Sequence, residues 1–213
     1  MRKLGSEEVT MSNAIITDFD GTLVDTFEAN FRAYQKAFYE VGLNLTEERY
    51  RECFGYRYDD FMMAMGITDE VTKQRIRELK KNYYPEFFAH LRLNNRLVEI
   101  LRQNHDSGGM NAIASTARKE NLMNVVEYLH VGDLFDLIYA GDDVKKAKPD
   151  PEIYLLTMQN LGVTPSETMI YEDSEVGIQA AMTSGAECMR VTEEWFGEVR
   201  KFGNSEMRKF GEK

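Results

Sequence analysis

Residues 13–25 read Asn-Ala-Ile-Ile-Thr-Asp-Phe-Asp-Gly-Thr-Leu-Val-Asp and place two carboxylates one residue apart at the end of a short apolar run. The run at 14–16 has the length and side chains of a buried strand. Alternation along an extended chain turns Asp18 and Asp20 to the same side, and Gly21 permits a sharp turn after them. Because two like charges this close repel each other, the pair indicates a bound cation or a retained proton.

Strand-like and helix-like segments alternate in the C-terminal part of the chain. This alternation predicts an α/β fold, with a Rossmann-like, three-layer parallel sheet covered by helices on both faces. Ligands of such sheets bind at the carboxyl ends of the strands. The later strands are predicted at 110–114, 137–140, 168–171 and 188–191, and their helices at 95–105, 118–130, 151–161 and 175–184.

A long helical stretch separates the first strand from the others. Its first helix carries apolar residues at helical spacing and ends at Gly42. Further helices are expected near Thr46, near Asp59 and from about Thr68, the last with Val71 turned inward. These patterns predict an all-helical cap domain at 26–90, inserted into a catalytic core formed by 1–25 and 91–213.

Two hydroxyl residues follow the predicted strand at 110–114. Ser115 or Thr116 can cap the next helix, which is the more frequent use of such residues. A hydroxyl beside exposed amides at a helix start also binds phosphate, so the two roles are compatible. Arg118, one turn along, either adds positive charge near a substrate or is a solvated helix residue.

Charged residues follow the next strands. Lys148 lies in Lys-Pro-Asp-Pro, residues 148–151, where two prolines constrain the loop, whereas the two lysines before it resemble ordinary surface charges. Glu172 and Asp173 follow the strand predicted near 168–171, although Asp173 or Ser174 can also cap the next helix. Magnesium takes hard oxygen ligands, so one carboxylate from each of two strand ends suits this ion.

These four segments match the motifs of the haloacid dehalogenase-like hydrolases, and the whole chain resembles their beta-phosphoglucomutase/phosphoglycolate phosphatase branch. The resemblance implies that Asp18 is the nucleophile and that Asp20 is the general acid and base. It also implies that Ser115, with Thr116 beside it, holds a phosphoryl oxygen. Lys148 would then pair with the nucleophile and with the phosphoryl group.

The resemblance also implies a magnesium ion. Its ligands would be the carboxylates of Asp18 and Asp173 and the main-chain oxygen of Asp20, with Glu172 supporting the site through water. Asp20 argues against dehalogenases and phosphonate-cleaving relatives, which lack an aspartate there. The predicted activity is a magnesium-dependent phosphatase acting on a small phosphorylated metabolite through an aspartyl-phosphate.

The cap is expected to select the substrate. Segment 53–60 corresponds to the specificity loop of the resembling family, with Gly55 at its glycine. Arg57 is the expected contact to an anion or hydroxyl, and an exposed loop arginine is an equal interpretation. Asn30 and Phe54 replace a histidine and a lysine of the mutases and argue against mutase activity. A sugar phosphomutase and a non-catalytic regulatory protein on the same fold are the alternatives.

Composition excludes several classes of partner. The net charge of -10 repels nucleic acid and anionic lipid, and no apolar run approaches the roughly 20 residues needed to cross a bilayer. The start, Met1 to Ser12, is too polar for a secretory signal. We therefore expect a cytoplasmic enzyme, a monomer or weak dimer, with a small-molecule partner. The tail from Trp195 to Lys213 suggests no role.

Overall fold

The computed structural model describes residues 13–197 of the 213-residue chain. The expectations for Met1 to Ser12, and for the tail beyond residue 197, concern segments outside the described residues. The described strands are β1 (Ala14–Thr17), β2 (Val24–Asp25), β3 (Arg92–Leu93), β4 (Met110–Ala114), β5 (Leu137–Tyr139), β6 (Thr168–Glu172) and β7 (Glu187–Arg190). Five of them form one sheet in the order β5-β4-β1-β6-β7, and every pairing in it is parallel. The predicted parallel α/β fold is therefore confirmed.

Strand β1 occupies the centre of the sheet, and all four of its residues are buried. Ile15 packs into the apolar cluster on one face, whereas Ile16 packs into the cluster on the other. Burial on both faces explains why β1 is a continuous apolar run rather than an alternating one. In register, Thr17 lies opposite Ile113 of β4 and Tyr171 of β6, so these three strands end at the same edge.

Four helices follow β2: α1 (Phe27–Glu40), α2 (Glu47–Glu52), α3 (Tyr58–Ala64) and α4 (Glu70–Tyr83). They enclose a cluster of their own, rich in aromatic residues such as Phe38, Tyr50 and Phe61. A 3-10 helix, Tyr84–His90, follows α4, and its Tyr84 joins the core cluster instead. We use the name cap for residues 26–90.

Two details of α4 differ from the expectation. The side chain of Asp69 accepts the amide hydrogen of Thr72 at 2.8 Å, so the cap of this helix is Asp69 rather than Thr68. Val71 is 82% exposed and does not face inward. Ile76 and Leu79 define the buried face of this helix. Val71 precedes Ile76 by five residues and is turned about 140° away from it, so it lies on the solvent side of the first turn.

The core helices are α5 (Asn95–Asp106), α6 (Lys119–Leu129), α7 (Glu152–Leu161) and α8 (Glu175–Ser184). They match the predicted helices to within one residue at each end. Asn94 ties α5 to the turn after β1, because its side chain accepts from the Leu97 amide at 3.0 Å and donates to the Thr22 carbonyl at 2.9 Å. No helix within 13–197 combines the length and apolar character needed to cross a membrane.

The chain passes between core and cap twice, and both crossings lie in one antiparallel ribbon of β2 and β3. The side chains of Asp25 and Arg92, opposite each other in this ribbon, form an ion pair at 3.3 Å. Arg92 also donates to the carbonyl oxygen of Phe196 at 3.2 Å. The sequence did not reveal this ribbon, because two-residue strands are too short to show alternation.

Phe38 and Tyr39 are neighbours on α1 and offer a matched test of the cap cluster. Phe38 is 2% exposed and Tyr39 is 76% exposed. We expect Phe38→Ala to lower the free energy of unfolding by about 3–5 kcal/mol, because it leaves a cavity among packed rings. Tyr39→Ala should change it by less than about 0.5 kcal/mol. Urea unfolding followed by circular dichroism measures both, and equal effects would contradict the assigned packing.

Candidate active site

Three acidic side chains converge where β1 and β6 end. Asp18 follows β1 directly, Glu172 is the last residue of β6, and Asp173 is the next. One carboxylate oxygen from each of these residues lies within 4.8 Å of the others. The backbone fixes this arrangement, because the Asp18 amide donates to the Tyr171 carbonyl at 2.9 Å. Residues separated by about 150 positions in the sequence thus form one acidic cluster.

Lys148 enters this cluster from the loop before α7. Its Nζ lies 2.6 Å from Oδ1 of Asp18 and 2.6 Å from Oε1 of Glu172, and all three side chains are buried. Glu152 holds this loop, because its carboxylate accepts hydrogen bonds from the backbone amides of Lys145 and Lys146 at 3.0 and 2.9 Å. The expected constraint on the Lys148 loop therefore includes a carboxylate clamp as well as its prolines.

Glu172 uses both of its carboxylate oxygens within the protein. Oε1 accepts from Lys148 and from the hydroxyl of Tyr154 at 3.1 Å, and Oε2 accepts from the amide and hydroxyl of Ser174 at 2.9 and 3.0 Å. A carboxylate held by four donors is suited to positioning Lys148. Tyr154 was not identified from the sequence, because nothing local marks a helix tyrosine that reaches a neighbouring strand.

Two glycines make room for these carboxylates. A Cβ on Gly177 would lie 1.8 Å from Oε1 of Glu172, and a Cβ on Gly21 would lie 2.4 Å from Oδ2 of Asp173. Gly21 also has a positive φ of 87°, which glycine adopts without strain. Beside it, the Thr22 hydroxyl donates to Oδ1 of Asp173 at 2.8 Å. The glycine turn after β1 thus contacts the acidic end of β6 directly.

The acidic cluster carries more negative charge than Lys148 can balance. Burial raises the pKa of Asp18 well above its ordinary value; Lys148 opposes this shift, and Glu172 and Asp173 add to it. Burial likewise raises the pKa of Asp173 to about 6. Burial disfavours charge on Lys148 too, yet the surrounding anions outweigh it and raise the Lys148 pKa. Three carboxylates around one ammonium fit a divalent cation, which prefers such oxygen ligands.

Asp20 has surroundings of a different kind. Its Oδ1 accepts a hydrogen bond from the hydroxyl of Thr26, the residue that precedes α1. Burial raises the pKa of Asp20, while the Thr26 hydrogen bond and the charges of Lys80 and Lys148 oppose the shift. A raised pKa favours a carboxyl group that carries a proton, as a general acid requires.

Ser115 and Thr116, the two hydroxyl residues after β4, have different surroundings. Ser115 is buried, and its Oγ accepts the amide hydrogen of Ala117 at 3.0 Å, which leaves the hydroxyl hydrogen available as a donor. Thr116 is exposed. The residue that caps α6 is Arg118, with no side-chain bond. Arg118 is itself exposed, and its Nε lies 4.0 Å from the Asp142 carboxylate.

The cap residues named from the sequence occupy two different places. Asn30 lies beside the buried Tyr84: burial raises the pKa of this phenol, the charge of Asp20 raises it further, and Asn30 opposes the shift. Gly55, with φ of 86°, and Arg57 lie instead on an exposed loop.

One cap residue near the site was missed. Lys80 is buried in α4, and its ammonium senses the charge of Asp20. The sequence does contain a signal for it: Lys80 follows Ile76 by four residues, so the lysine occupies the apolar face of an amphipathic helix.

Comparison with known proteins identifies the family of the chain. Residues 15–191 match the family model described as haloacid dehalogenase-like hydrolase. A phosphorylated carbohydrates phosphatase from Thermotoga maritima is 33% identical over 180 residues, which cover 82% of each chain. A fructose-1-phosphate phosphatase from Escherichia coli is 26% identical over 184 residues, covering 83% of this chain and 95% of the other.

A solved structure is similar as well. The crystal structure of CbbY from Rhodobacter sphaeroides, in complex with phosphate, superposes with a TM-score of 0.77 at 26% identity and covers 89% of this chain and 90% of that one. The family match spans most of the sequence, so the chain belongs to the haloacid dehalogenase-like hydrolases. The predicted family and the predicted enzyme class, a phosphatase of this family, are confirmed.

Gly177 tests whether the Glu172 carboxylate is locked in place. Replacing glycine by alanine inside a helix usually stabilises a protein. Here we expect Gly177→Ala to lower the free energy of unfolding by about 1–3 kcal/mol, because the new methyl group overlaps the Glu172 carboxylate. Gly132→Ala is the control, since its Cβ makes only an ordinary contact, 3.5 Å from Val126. A stabilised Gly177→Ala protein, measured by chemical unfolding, would refute this packing.

Proposed function

We propose that this protein is a magnesium-dependent phosphatase that hydrolyses a small phosphorylated carbohydrate through an aspartyl-phosphate on Asp18. The observation that carries the proposal is the buried ion pair of Lys148 and Asp18 beside two further carboxylates. The substrate class is supported by the related phosphatase whose name specifies phosphorylated carbohydrates.

The metal would be held by the carboxylates of Asp18 and Asp173 and by the main-chain oxygen of Asp20. When bound, magnesium supplies positive charge to the phosphate oxygens and to the acidic cluster. Glu172 is already engaged by four donors. Its task is therefore to hold Lys148 rather than to bind the ion.

Asp18 attacks phosphorus in the first half of the reaction. Lys148 bonds to Oδ1 and so fixes the carboxylate, while no described residue hydrogen-bonds to Oδ2. Oδ2 forms the new bond to phosphorus as the ester P–O bond breaks. Asp20, whose pKa is raised by burial, gives its proton to the departing alcohol oxygen.

Water completes the reaction in the second half. Asp20, now ionised, takes a proton from the water that attacks the phosphorus of the aspartyl-phosphate, which releases inorganic phosphate and restores Asp18. The Ser115 hydroxyl and the amides of Phe19 and Asp20 are the donors for the equatorial oxygens. The amides of Gly21 and Thr22 are less suited, because they bond within the turn at 2.8 and 3.4 Å.

Residues 26–90 act in this proposal as a lid on a core formed by 1–25 and 91–213. The lid begins directly after β2 and six residues after Asp20, so its closure brings α1 and α4 over the reacting atoms. Closure excludes bulk water while the alcohol departs. Substrate choice then depends on the lid side chains that face Asp20.

Asp18→Asn is the direct test of the nucleophile. The amide cannot form the acyl phosphate, so we expect hydrolysis of p-nitrophenyl phosphate to fall by about 1,000-fold or more. The circular dichroism spectrum should be unchanged, because the substitution keeps the side-chain shape. Asp133→Asn, at an exposed position, is the matched control and should keep full turnover.

Three results would contradict the proposal. Unaltered turnover by Asp18→Asn would remove the nucleophile. Conversion of a hexose 1-phosphate to its isomer in the presence of a bisphosphate primer, with no free phosphate, would establish the mutase instead. No magnesium-dependent turnover across a broad panel of phosphate esters would favour a non-catalytic protein.

Asp173 links metal binding to stability. Burial raises its pKa from 3.8 to about 6, so without metal the folded state holds this proton more tightly than the unfolded chain. The metal-free protein therefore loses stability as pH rises from about 4 to about 6. At pH 7.5 we expect Asp173→Asn to raise the melting temperature of the metal-free protein, because it removes a buried charge.

Magnesium should change the order of the two melting temperatures. It stabilises the folded wild-type protein by binding to it, whereas Asp173→Asn lacks a ligand and should respond much less. Calorimetric melting curves with and without magnesium measure both effects, with Asp133→Asn as control. An equal magnesium-induced rise in melting temperature for wild type and Asp173→Asn would exclude Asp173 as a ligand.

A further inference from the structure

The hydroxyl of Tyr154 reaches the acidic cluster from the interior of the core. Tyr154 lies in the first turn of α7, is fully buried, and packs with Ile16 and Ile170 in the apolar cluster on one face of the sheet. Burial raises the pKa of its phenol, so the hydroxyl keeps its proton and acts as a donor. It donates to Oε1 of Glu172 at 3.1 Å. Close packing around the ring fixes the place of this hydrogen bond.

The oxygen that accepts this bond also holds Lys148. Nζ of Lys148 lies 2.6 Å from Oε1 of Glu172 and 2.6 Å from Oδ1 of Asp18. An ammonium group carries three hydrogens, and no residue in the described part of the chain accepts the third from Lys148. The first two bonds therefore set the direction of the third N–H, which in the proposed reaction is available to the phosphoryl group.

Different donors fix the two oxygens of Glu172. Oε2 accepts from the amide and hydroxyl of Ser174 at 2.9 and 3.0 Å. These bonds alone leave Oε1 less constrained, because the terminal torsion of a glutamate side chain has a broad energy minimum. Among the described residues, Tyr154 is the donor to Oε1 other than Lys148 itself. Tyr154 thus holds the oxygen with which the ammonium pairs.

We propose that Tyr154 is a positioning residue, whose hydroxyl holds Oε1 of Glu172 so that Lys148 stays aligned with Asp18 and with the phosphoryl group. This inference rests on the proposed phosphatase function. The oxygen Oε1 divides its negative charge between two donors, so it attracts each of them less than it would attract one alone. The Tyr154 bond therefore keeps Glu172 from drawing the ammonium away from the attacking carboxylate.

The chemical step is where this alignment should matter. Lys148 bonds to the carboxylate that attacks phosphorus, and a small displacement of an attacking atom slows a reaction strongly. Tyr154 does not itself contact the substrate in this proposal. An interaction whose effect is confined to the transition state changes kcat and leaves KM nearly unchanged.

Tyr154→Phe tests the role of the hydroxyl. Phenylalanine retains the ring, whose centre lies 4.8 Å from Nζ of Lys148, and so keeps both the cation–π contact and the apolar packing. We expect kcat for p-nitrophenyl phosphate to fall by about 10-fold, with KM changed by less than about 2-fold. The variant should fold, and melting curves check that it does.

Two inhibitors provide a second readout with the same proteins. Orthovanadate forms a five-coordinate adduct that resembles the transition state, whereas inorganic phosphate resembles the product. We expect Tyr154→Phe to raise the ratio of the inhibition constants, vanadate over phosphate, by about 10-fold, because vanadate reproduces the attack of Asp18 and phosphate does not. A loss of stability alone would not change this ratio.

Thr157→Val is the matched control on the same helix. The buried hydroxyl of Thr157 donates to the carbonyl oxygen of Ile153 at 2.7 Å and forms no hydrogen bond with Glu172. Its removal also deletes one buried hydrogen bond of α7, so the melting temperature should fall about as much as in Tyr154→Phe. In contrast to Tyr154→Phe, it should leave kcat and the inhibitor ratio unchanged.

A double-mutant cycle with Glu172→Gln shows whether Tyr154 acts through Glu172. Glutamine lacks the charge that pairs with Lys148, so the alignment is already lost in that variant. Adding Tyr154→Phe to Glu172→Gln should therefore lower kcat by less than about 2-fold further. Independent roles would instead make the two losses multiply.

Four outcomes would overturn the inference. They are unchanged kcat and inhibitor ratio in Tyr154→Phe, a loss that appears only as a higher KM, an equal kinetic loss in Thr157→Val, and losses that multiply in the double variant. Failure of the proposed function is distinct. That function fails when the wild type does not hydrolyse p-nitrophenyl phosphate with magnesium or when Asp18→Asn does not abolish this hydrolysis.

Discussion

The ion pairs of Lys148 with Asp18 and Glu172 join three separate parts of the chain at one point. Asp18 comes from the central strand, Glu172 from its neighbour, and Lys148 from the loop before α7. A buried ammonium and buried carboxylates are costly apart and tolerable together. Each therefore depends on the other two. The Glu172 carboxylate that pairs with Lys148 is held by four hydrogen-bond donors. Gly177 has no side chain and so leaves room for this carboxylate.

The carboxylates around Lys148 carry more negative charge than one ammonium balances. One ammonium among three carboxylates leaves a site that is electrostatically incomplete. Burial raises the pKa values of Asp18 and Asp173, and the neighbouring carboxylates raise them further. A protein selected only for stability would replace such groups by apolar ones. Buried charged groups that are retained usually belong to a functional site, where a bound ion or ligand balances their charge. Burial also raises the pKa of Asp20, in the core, and lowers the pKa of Lys80, in the cap.

Much of this arrangement could be predicted from the sequence, because its decisive residues follow strands. Strand β1 is a continuous apolar run, and the residues after β1, β4 and β6 must meet at one edge of a parallel sheet. On that ground Asp18, Asp173 and the hydroxyl pair of Ser115 and Thr116 were placed at strand ends, whereas the choice of Ser115 came from the family resemblance. The boundaries of the core helices were predicted equally well, since glycines and capping residues mark them. Val71 was misplaced, because a spacing of five residues from Ile76 does not keep the two residues on one helix face.

What the sequence did not reveal depends on contacts between distant segments. The bond of Tyr154 to Glu172, the space that Gly177 leaves, and the inward position of Lys80 need the third dimension. The ribbon of β2 and β3 likewise pairs segments that are far apart in the sequence. Its two strands are hydrogen-bonded to each other, and Arg92 also donates to the carbonyl oxygen of Phe196. The two connections between the core and residues 26–90 therefore form a single bonded element anchored to the far end of the described chain, rather than two independent linkers.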